Sequence, residues 1–252
     1  MEAYSEKKIF FASDFHLGLD AQTTSLEREV LLTEWLDSIK VETKQLYLLG
    51  DIFDYWFEYK EVIPKGHIRF LAKLAEFTDS GIPVHVFTGN HDMWMFDYLE
   101  KEIGVNIHRQ ALEKKIDGKL FLLGHGDGLG PADYGYKFIK KVFRNKINQW
   151  LFARLHPNLG LRLMIKFSQT SRDSQTEEKK FLGAEKEWLV LYAERKLKSK
   201  AYDYFIFGHR HLMIDHLLSN GSARYLNCGD WLSYNSYVVW DGQELKLKTY
   251  QK

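Results

Sequence analysis

Lys8-Ile9-Phe10-Phe11-Ala12-Ser13-Asp14-Phe15-His16 decides the fold. Lys8 to Ala12 is a short apolar run with no turn residue, as expected of a strand buried on both faces. It ends in a carboxylate and an imidazole two residues apart, so one strand end can turn both towards one point. The construction recurs: Leu46-Tyr47-Leu48-Leu49 leads into Gly50-Asp51-Ile52-Phe53-Asp54, and Val84-His85-Val86-Phe87 leads into Gly89-Asn90-His91-Asp92. Between these runs, apolar residues at Leu31, Leu32, Trp35, Leu36 and Ile39 predict a helix over 26–39, and a second helix is expected from about Gly66 to Phe77. Such alternation builds βαβ units whose polar loops collect at the carboxyl edge of a sheet.

Beyond Val105 the pattern changes. Asp117-Gly118, Asn220-Gly221 and Asp241-Gly242 each separate apolar runs and read as two-residue hairpin turns. Parallel units mixed with antiparallel hairpins predict an α/β fold of two packed mixed β-sheets flanked by helices. Two more strand-end words follow, Gly124-His125-Gly126-Asp127 and Gly208-His209-Arg210-His211, and Trp188 to Leu197 reads as a core helix.

The bulk composition narrows the function. A chain of 252 residues with 45% hydrophobic and 15% aromatic residues can fill one large core with a modest insertion. Its 35 Lys and Arg nearly balance 34 Asp and Glu, so total charge selects no polyanionic partner and no nucleic acid is expected. The single cysteine, Cys228, permits no internal disulfide and fits a reducing cytoplasm. No signal-peptide core precedes Lys8, and no apolar run is long enough to cross a membrane.

Taken together, the five words offer Asp14, His16, Asp51, Asn90, His125, His209 and His211, a set of hard and borderline donors suited to two divalent ions about 4 Å apart. Glycines at 50, 89, 124 and 208 are expected to relieve crowding where the backbone nears such ions. His91 sits beside Asn90 without being needed as a ligand and is the candidate catalytic group, with Asp92 or Asp54 setting its orientation. Asp54, Asp92 and Asp127 otherwise read as loop-fixing groups, and Cys228 reads as a packed small residue.

The ordered series D-x-H, G-D-x-x-D, G-N-H-[DE], G-H and G-H-x-H resembles the calcineurin-like metallophosphoesterases, and the match runs from Asp14 to His211. That resemblance implies an αββα sandwich. It also implies a first ion on Asp14, His16, Asp51 and His211, and a second on Asp51, Asn90, His125 and His209. Mn²⁺ is the expected metal, and attack on phosphorus the expected reaction.

The stretch between His125 and His209 bears on the substrate. From Tyr134 to Arg172 there are nine Lys or Arg residues and no acid, with seven aromatics interleaved. Ile139, Phe143, Ile147, Trp150 and Leu151 are expected on one helical face, with Lys137, Lys140, Lys141 and Arg144 largely elsewhere. We expect a helical lid over residues 131–182, inserted into a core of residues 1–130 and 183–252, covering an anionic and partly apolar ligand. The words S-D-F-H-L, G-D-I-F-D-Y-W and H-G-D, with Asp133 and Tyr136 beyond and the polar turn Ser171-Arg172-Asp173-Ser174-Gln175, make the chain similar to the UDP-2,3-diacylglucosamine pyrophosphatases of lipid A synthesis.

This second resemblance implies substrate contacts at Asn90, His91, Asp133, Tyr136, Ser171, Gln175 and His209, and a peripheral position on the cytoplasmic face of the inner membrane. His91 stands where well-known members carry arginine, and Glu178 stands near their lysine. Other readings are a metallophosphoesterase for another nucleotide or lipid-linked diphosphate, a nuclease, and a metal-free scaffold.

Overall fold

The computed structural model describes residues 7–130, 134–174 and 180–251. Two sheets face each other. In the first, β1 (Lys8–Ala12), β2 (Thr43–Leu48), β3 (Val84–Phe87) and β4 (Asn106–His108) run parallel; β10 (Ser236–Trp240) joins β1 antiparallel, and β11 (Leu245–Thr249) closes the edge. The second sheet has the order β5 (Leu112–Ile116), β6 (Lys119–Gly124), β7 (Tyr204–Phe207), β9 (Arg224–Cys228), β8 (Met213–Leu217), with parallel pairs in its centre and antiparallel pairs at both edges.

The period-2 alternation of each strand sends its side chains into two different cores. Ile9, Phe11, Tyr47 and Leu49 of the first sheet meet Phe121, Leu123, Ile206 and Leu226 of the second. Their neighbours Phe10, Leu46, Leu48 and Val84 face outward, under α1 (Ser25–Lys40) and α2 (Ile68–Asp79). The outer face of the second sheet is covered by Leu189, Val190 and Ala193 of α6 (Trp188–Leu197). The result is the expected layering of helices, sheet, sheet and helix. Trp35 of α1 is fully buried against Phe15 and Trp231, and truncating it to alanine would cost about 3–5 kcal/mol. A Thr24–Glu27 capping box fixes where α1 begins.

Of the three expected two-residue turns, only one has that form. Asp117 and Gly118 alone join β5 to β6, and both have positive φ, 47° and 83°. The Asn220-Gly221 connection is longer, closed by a bond from the Leu218 amide to the Ala223 carbonyl, and Asp241-Gly242 lies in a loop where the Asp241 amide reaches the Glu244 carbonyl. In both, an Asn or Asp side chain accepts amides two and three residues on, an alternative to the tight turn open to these residue types.

Between β6 and α6 lie α3 (Tyr134–Arg144), α4 (Lys146–Phe152) and α5 (Pro157–Ser174). The expected continuous apolar face is divided at Asn145, whose side chain caps the amides of Ile147 and Asn148. Ile139 and Phe143 face the space between this segment and the core, Ile139 still half exposed, while Ile147, Trp150 and Leu151 are exposed away from it. The joint to the core is Trp94, whose Nε1 donates to the Phe143 carbonyl at 2.7 Å and whose ring meets Phe57, Phe143 and Phe152 at 5.0, 5.2 and 4.8 Å.

Candidate metal centre

The loops after β1, β2, β3, β6 and β7 meet at one end of the two sheets. The first two are laced together by backbone bonds from the Asp14 amide to the Gly50 carbonyl and from the His16 amide to the Asp51 carbonyl, both 3.0 Å. Local strain concentrates at this end. Asp14, His16, Asp51, His209 and His211 have φ of 58°, 45°, 51°, 69° and 52°, the left-handed region that ordinary side chains avoid. Residues held this way persist only where the surrounding bonds over-determine them. One source of that constraint is Arg28, buried in α1, which donates to the carbonyls of Phe15 and His16, each at 2.7 Å, and of Leu19 at 2.5 Å.

Asp51 lies at the middle of the group. Its Oδ2 is 3.9 Å from His16 Nε2 and 3.1 Å from His125 Nε2, while its Oδ1 accepts the His91 amide at 2.9 Å. On one side, Asp14 Oδ1 and His16 Nε2 lie 3.2 Å from His211 Nε2. On the other, His125 Nε2 is 3.1 Å from Asn90 Oδ1, and His209 joins Asp51 and His125 with donor atoms within 4.8 Å of one another. A third group of that kind links His16, Asp51 and His91.

The outer nitrogens fix the tautomers. His16 Nδ1 donates to Asp54 Oδ1 at 3.1 Å, His211 Nδ1 to Asp230 Oδ2 at 3.1 Å, and His125 Nδ1 to the Leu49 carbonyl at 2.8 Å. Since carboxylates and carbonyls only accept, the Nδ1 atoms carry the protons and each neutral ring turns a lone pair inward. Inward-facing imidazole nitrogens and carboxylate oxygens at 3–4 Å repel unless a cation lies among them. The donor set therefore fits divalent metal, with the carboxylates and carbonyl behind each imidazole raising its basicity. In the metal-free chain a proton takes that role at His125: burial opposes it, but the charge of Asp51 and the bond to it hold the imidazole pKa up at about 10. Burial and the His125 charge bring His209 down to about 3, so this ring stays neutral.

Three of the glycines leave room for the proposed ligands: a Cβ at Gly50, where φ is 93°, would lie 2.7 Å from His125 Nδ1. A Cβ at Gly89 would collide with the Asp51 carboxylate and amide, and one at Gly208 would lie 2.5 Å from Asp14 Oδ2. Gly124, grouped with them from sequence, instead packs against the Phe207 ring and Ala111.

His91 and Asp92 part company. Asp92 gives both carboxylate oxygens to backbone amides, those of Gly89 at 2.7 Å and of Ile52 and Phe53 at 2.8 and 3.3 Å. Burial and then the charge of Asp51 raise its pKa to about 7. It ties two loops together, and the expected role in orienting His91 falls to other groups: His91 Nδ1 donates to the Asp54 carbonyl at 3.1 Å and to Ser168 Oγ at 3.0 Å. Ser168 in turn donates to Asp54 Oδ2 at 2.8 Å, so α5 reaches the carboxylate that holds His16.

Asp230, Arg28 and Ser168 are absent from the sequence-derived site. Asp230 had a readable signal, for Cys228-Gly229-Asp230 repeats the strand-end Gly-Asp construction of Gly50-Asp51. Arg28 and Ser168 carry none, since each acts from inside a helix on a partner far away in sequence. Asp133 and Gln175 lie outside the described residues; Tyr136 and Ser171 fall on α3 and α5, with side chains outside the description. His85 and His108, read as lying outside the site, pair with each other at 3.0 Å.

Between the site and the helical segment lies a cavity of about 490 Å³. Asn90, His91, Asp54 and Ser168 form its polar end; Trp94, Ile139, Phe143, Met164 and Phe167 make most of the remainder apolar, with Thr170 the polar residue among them.

The chain matches the calcineurin-like phosphoesterase family model over residues 7–213. It is 41% identical over 256 residues to a UDP-2,3-diacylglucosamine hydrolase of Porphyromonas gingivalis, covering 96% of this chain and 97% of that protein. Proteins of the same name from Edwardsiella ictaluri and Histophilus somni are 27% and 25% identical, over 94% and 89% of this chain and 90% and 92% of their own lengths.

Proposed function

This chain belongs to the calcineurin-like phosphoesterase family, and from that premise we propose that it is a dinuclear-metal hydrolase of UDP-2,3-diacylglucosamine, releasing UMP and 2,3-diacylglucosamine 1-phosphate. The observation that carries the substrate is the cavity, whose polar groups gather around Asn90, His91, Asp54 and Ser168 and whose walls through the helical segment beyond are mostly apolar. An acylated sugar phosphate has the same division. The relative from Porphyromonas gingivalis, alike over nearly its whole length, supports the same substrate.

In this reading Asp14, His16, Asp51 and His211 hold one ion, and Asp51, Asn90, His125 and His209 hold the other. Two such ions lower the pKa of a bound water and neutralise phosphoryl charge, and their mixed oxygen and imidazole ligands suit Mn²⁺. The chain's own groups do the rest. Asp54 and Asp230 keep the rings of His16 and His211 turned inward. His91, kept neutral by burial and fixed through Nδ1, aims Nε2 into the site. A phosphate there draws a proton onto Nε2, and the ring then stabilises developing charge as a donor. His209 adds a second contact to the phosphate, and Asp133, Tyr136, Ser171 and Gln175 contact the sugar phosphate.

Residues 131–182 act as the lid and the remainder as the core. Among the described residues no helix is long and apolar enough to cross a membrane. Exposed Phe138, Ile147, Trp150 and Leu151, set among lysines and arginines, suit peripheral contact with the anionic cytoplasmic face of the inner membrane. The deciding experiment is Mn²⁺-dependent release of UMP from UDP-2,3-diacylglucosamine, with UDP-N-acetylglucosamine in parallel. Cleavage of the acylated compound alone is expected. Cleavage of neither, with an aryl phosphodiester still hydrolysed, would leave another lipid-linked or nucleotide diphosphate as substrate.

A further inference from the structure

A second cavity, of about 190 Å³, opens beside His125 and Gly126 and shares no lining residue with the first. The two meet across the 3.1 Å contact between Asn90 Oδ1 and His125 Nε2. α3 is the wall between them. Ile139 and Phe143 line the lid cavity, whereas Lys140 and Arg144, each one residue further on, line the second. One amphipathic helix thus turns an apolar stripe to one side and cations to the other.

The second cavity is built to receive a polar anion. Arg144 Nη2 donates to the Arg109 carbonyl at 2.9 Å, and Arg109 Nη2 donates to the Met95 carbonyl at 3.2 Å and to that of Phe96. These bonds hold both guanidiniums at the rim, and neither has an acidic partner among the described residues. Lys140 is engaged with Asp127. The Thr88 hydroxyl and the Gln110 amide also line the space and have no protein hydrogen bond among the described residues. They leave donors and acceptors open to a heterocycle edge or a ribose.

We propose that this cavity binds the nucleoside 5′-monophosphate half of the substrate, with Arg109 and Arg144 on its phosphate and ribose and Gln110 and Thr88 on its base. The inference rests on the reading of the substrate as a nucleoside diphosphate sugar. A pyrophosphate spanning the site must send one half to each side, and α3 sorts the halves by polarity.

The test is calorimetric titration of UMP into the Mn²⁺-loaded full chain, comparing wild type with Arg109→Ala, Arg144→Ala and Gln110→Ala. Phe143→Ala, on the other face of α3, is the control. Losing one charge-assisted contact should weaken UMP binding roughly tenfold with unchanged thermal melting, and leave affinity for the acylated sugar 1-phosphate intact. Phe143→Ala should do the reverse. UMP affinity unchanged in all three variants would overturn the proposal. Equal weakening of inorganic phosphate in the arginine variants, with Gln110→Ala silent, would also overturn the nucleoside assignment. Should UDP-2,3-diacylglucosamine not be cleaved while UMP still binds through these residues, the substrate reading fails and the nucleotide cavity stands.

Discussion

The strand-end cradle and the helical segment above it are held by opposite means. In the cradle Asp14, His16 and Asp51 are no more than 1% exposed, and His16, His125 and His211 each have a carboxylate or carbonyl behind the ring. In the helical segment Phe138, Trp150 and Phe167 are 68, 55 and 55% exposed, and contact with the core includes Trp94, the Phe57–Phe152 ring pair and several polar bonds. A buried polar cluster gains precision because any displaced donor loses both partner and solvent. A helical layer resting on a cavity keeps apolar surface in reserve for what enters. The difference separates two tasks, fixing charge in one region and admitting an apolar ligand in the other.

The most severe way to break the cradle is Asp51→Ala. It removes the one carboxylate shared by the two histidine groups, so metal content should fall and turnover drop by at least about 10³-fold, with lid contacts unaffected. Elemental analysis beside the UMP-release assay checks both; retained metal with full turnover would contradict the shared-ligand reading. Asp230→Ala leaves every proposed ligand in place and removes only the acceptor behind His211. Metal affinity should weaken by roughly 10–100-fold, measurable by competition with a chelating dye. An unchanged affinity would make Asp230 a loop residue only, tied to the Ser233 and Tyr234 amides.

These residues also show what a sequence can carry. The proposed ligands were legible because each lies at a strand end, and a strand end followed by glycine, carboxylate or histidine is a local word. The two-sheet architecture was legible for the same reason: buried runs and turn residues are local. Arg28 and Ser168 were not, since the histidines they hold, His16 and His91, lie 12 and 77 residues away and only the packing of α1 and α5 brings them in. The face division of α3 was partly legible, but its extension through Trp150 failed because Asn145 caps a new helix. The lengths of the last two hairpins failed because Asn and Asp can close a loop with side chains as readily as with a tight turn.

The link between the two regions is tested by Ser168. Its Oγ joins α5 to His91 and Asp54, so Ser168→Ala should lower kcat on the acylated substrate by about 10-fold, as expected for one buried hydrogen bond. KM should change little, and Ser168→Thr should restore the rate. A change in KM alone would make Ser168 a wall of the cavity. Phe143→Ala, by contrast, should raise KM several-fold for the acylated substrate through lost apolar contact while an aryl phosphodiester is hydrolysed as before.

The pH dependence of the metal-free chain sharpens the comparison from another side, by testing whether a proton stands where metal belongs. Burial alone would lower the His125 pKa; the neighbouring Asp51 carboxylate overrides it and raises it from 6.5 to about 10. A group whose pKa is higher folded than unfolded binds more protons in the folded state, so stability must fall as pH rises between those values. The contribution from His125 is therefore complete below about pH 6.5 and gone above about pH 10. Thermal melts of the apo chain should decline across that window. Adding Mn²⁺ should reverse the slope, because metal binding displaces the proton and grows tighter as pH rises. An apo melting curve flat from pH 6.5 to 10 would mean that His125 and Asp51 separate without metal, and the cradle would then be assembled by the ions rather than waiting for them.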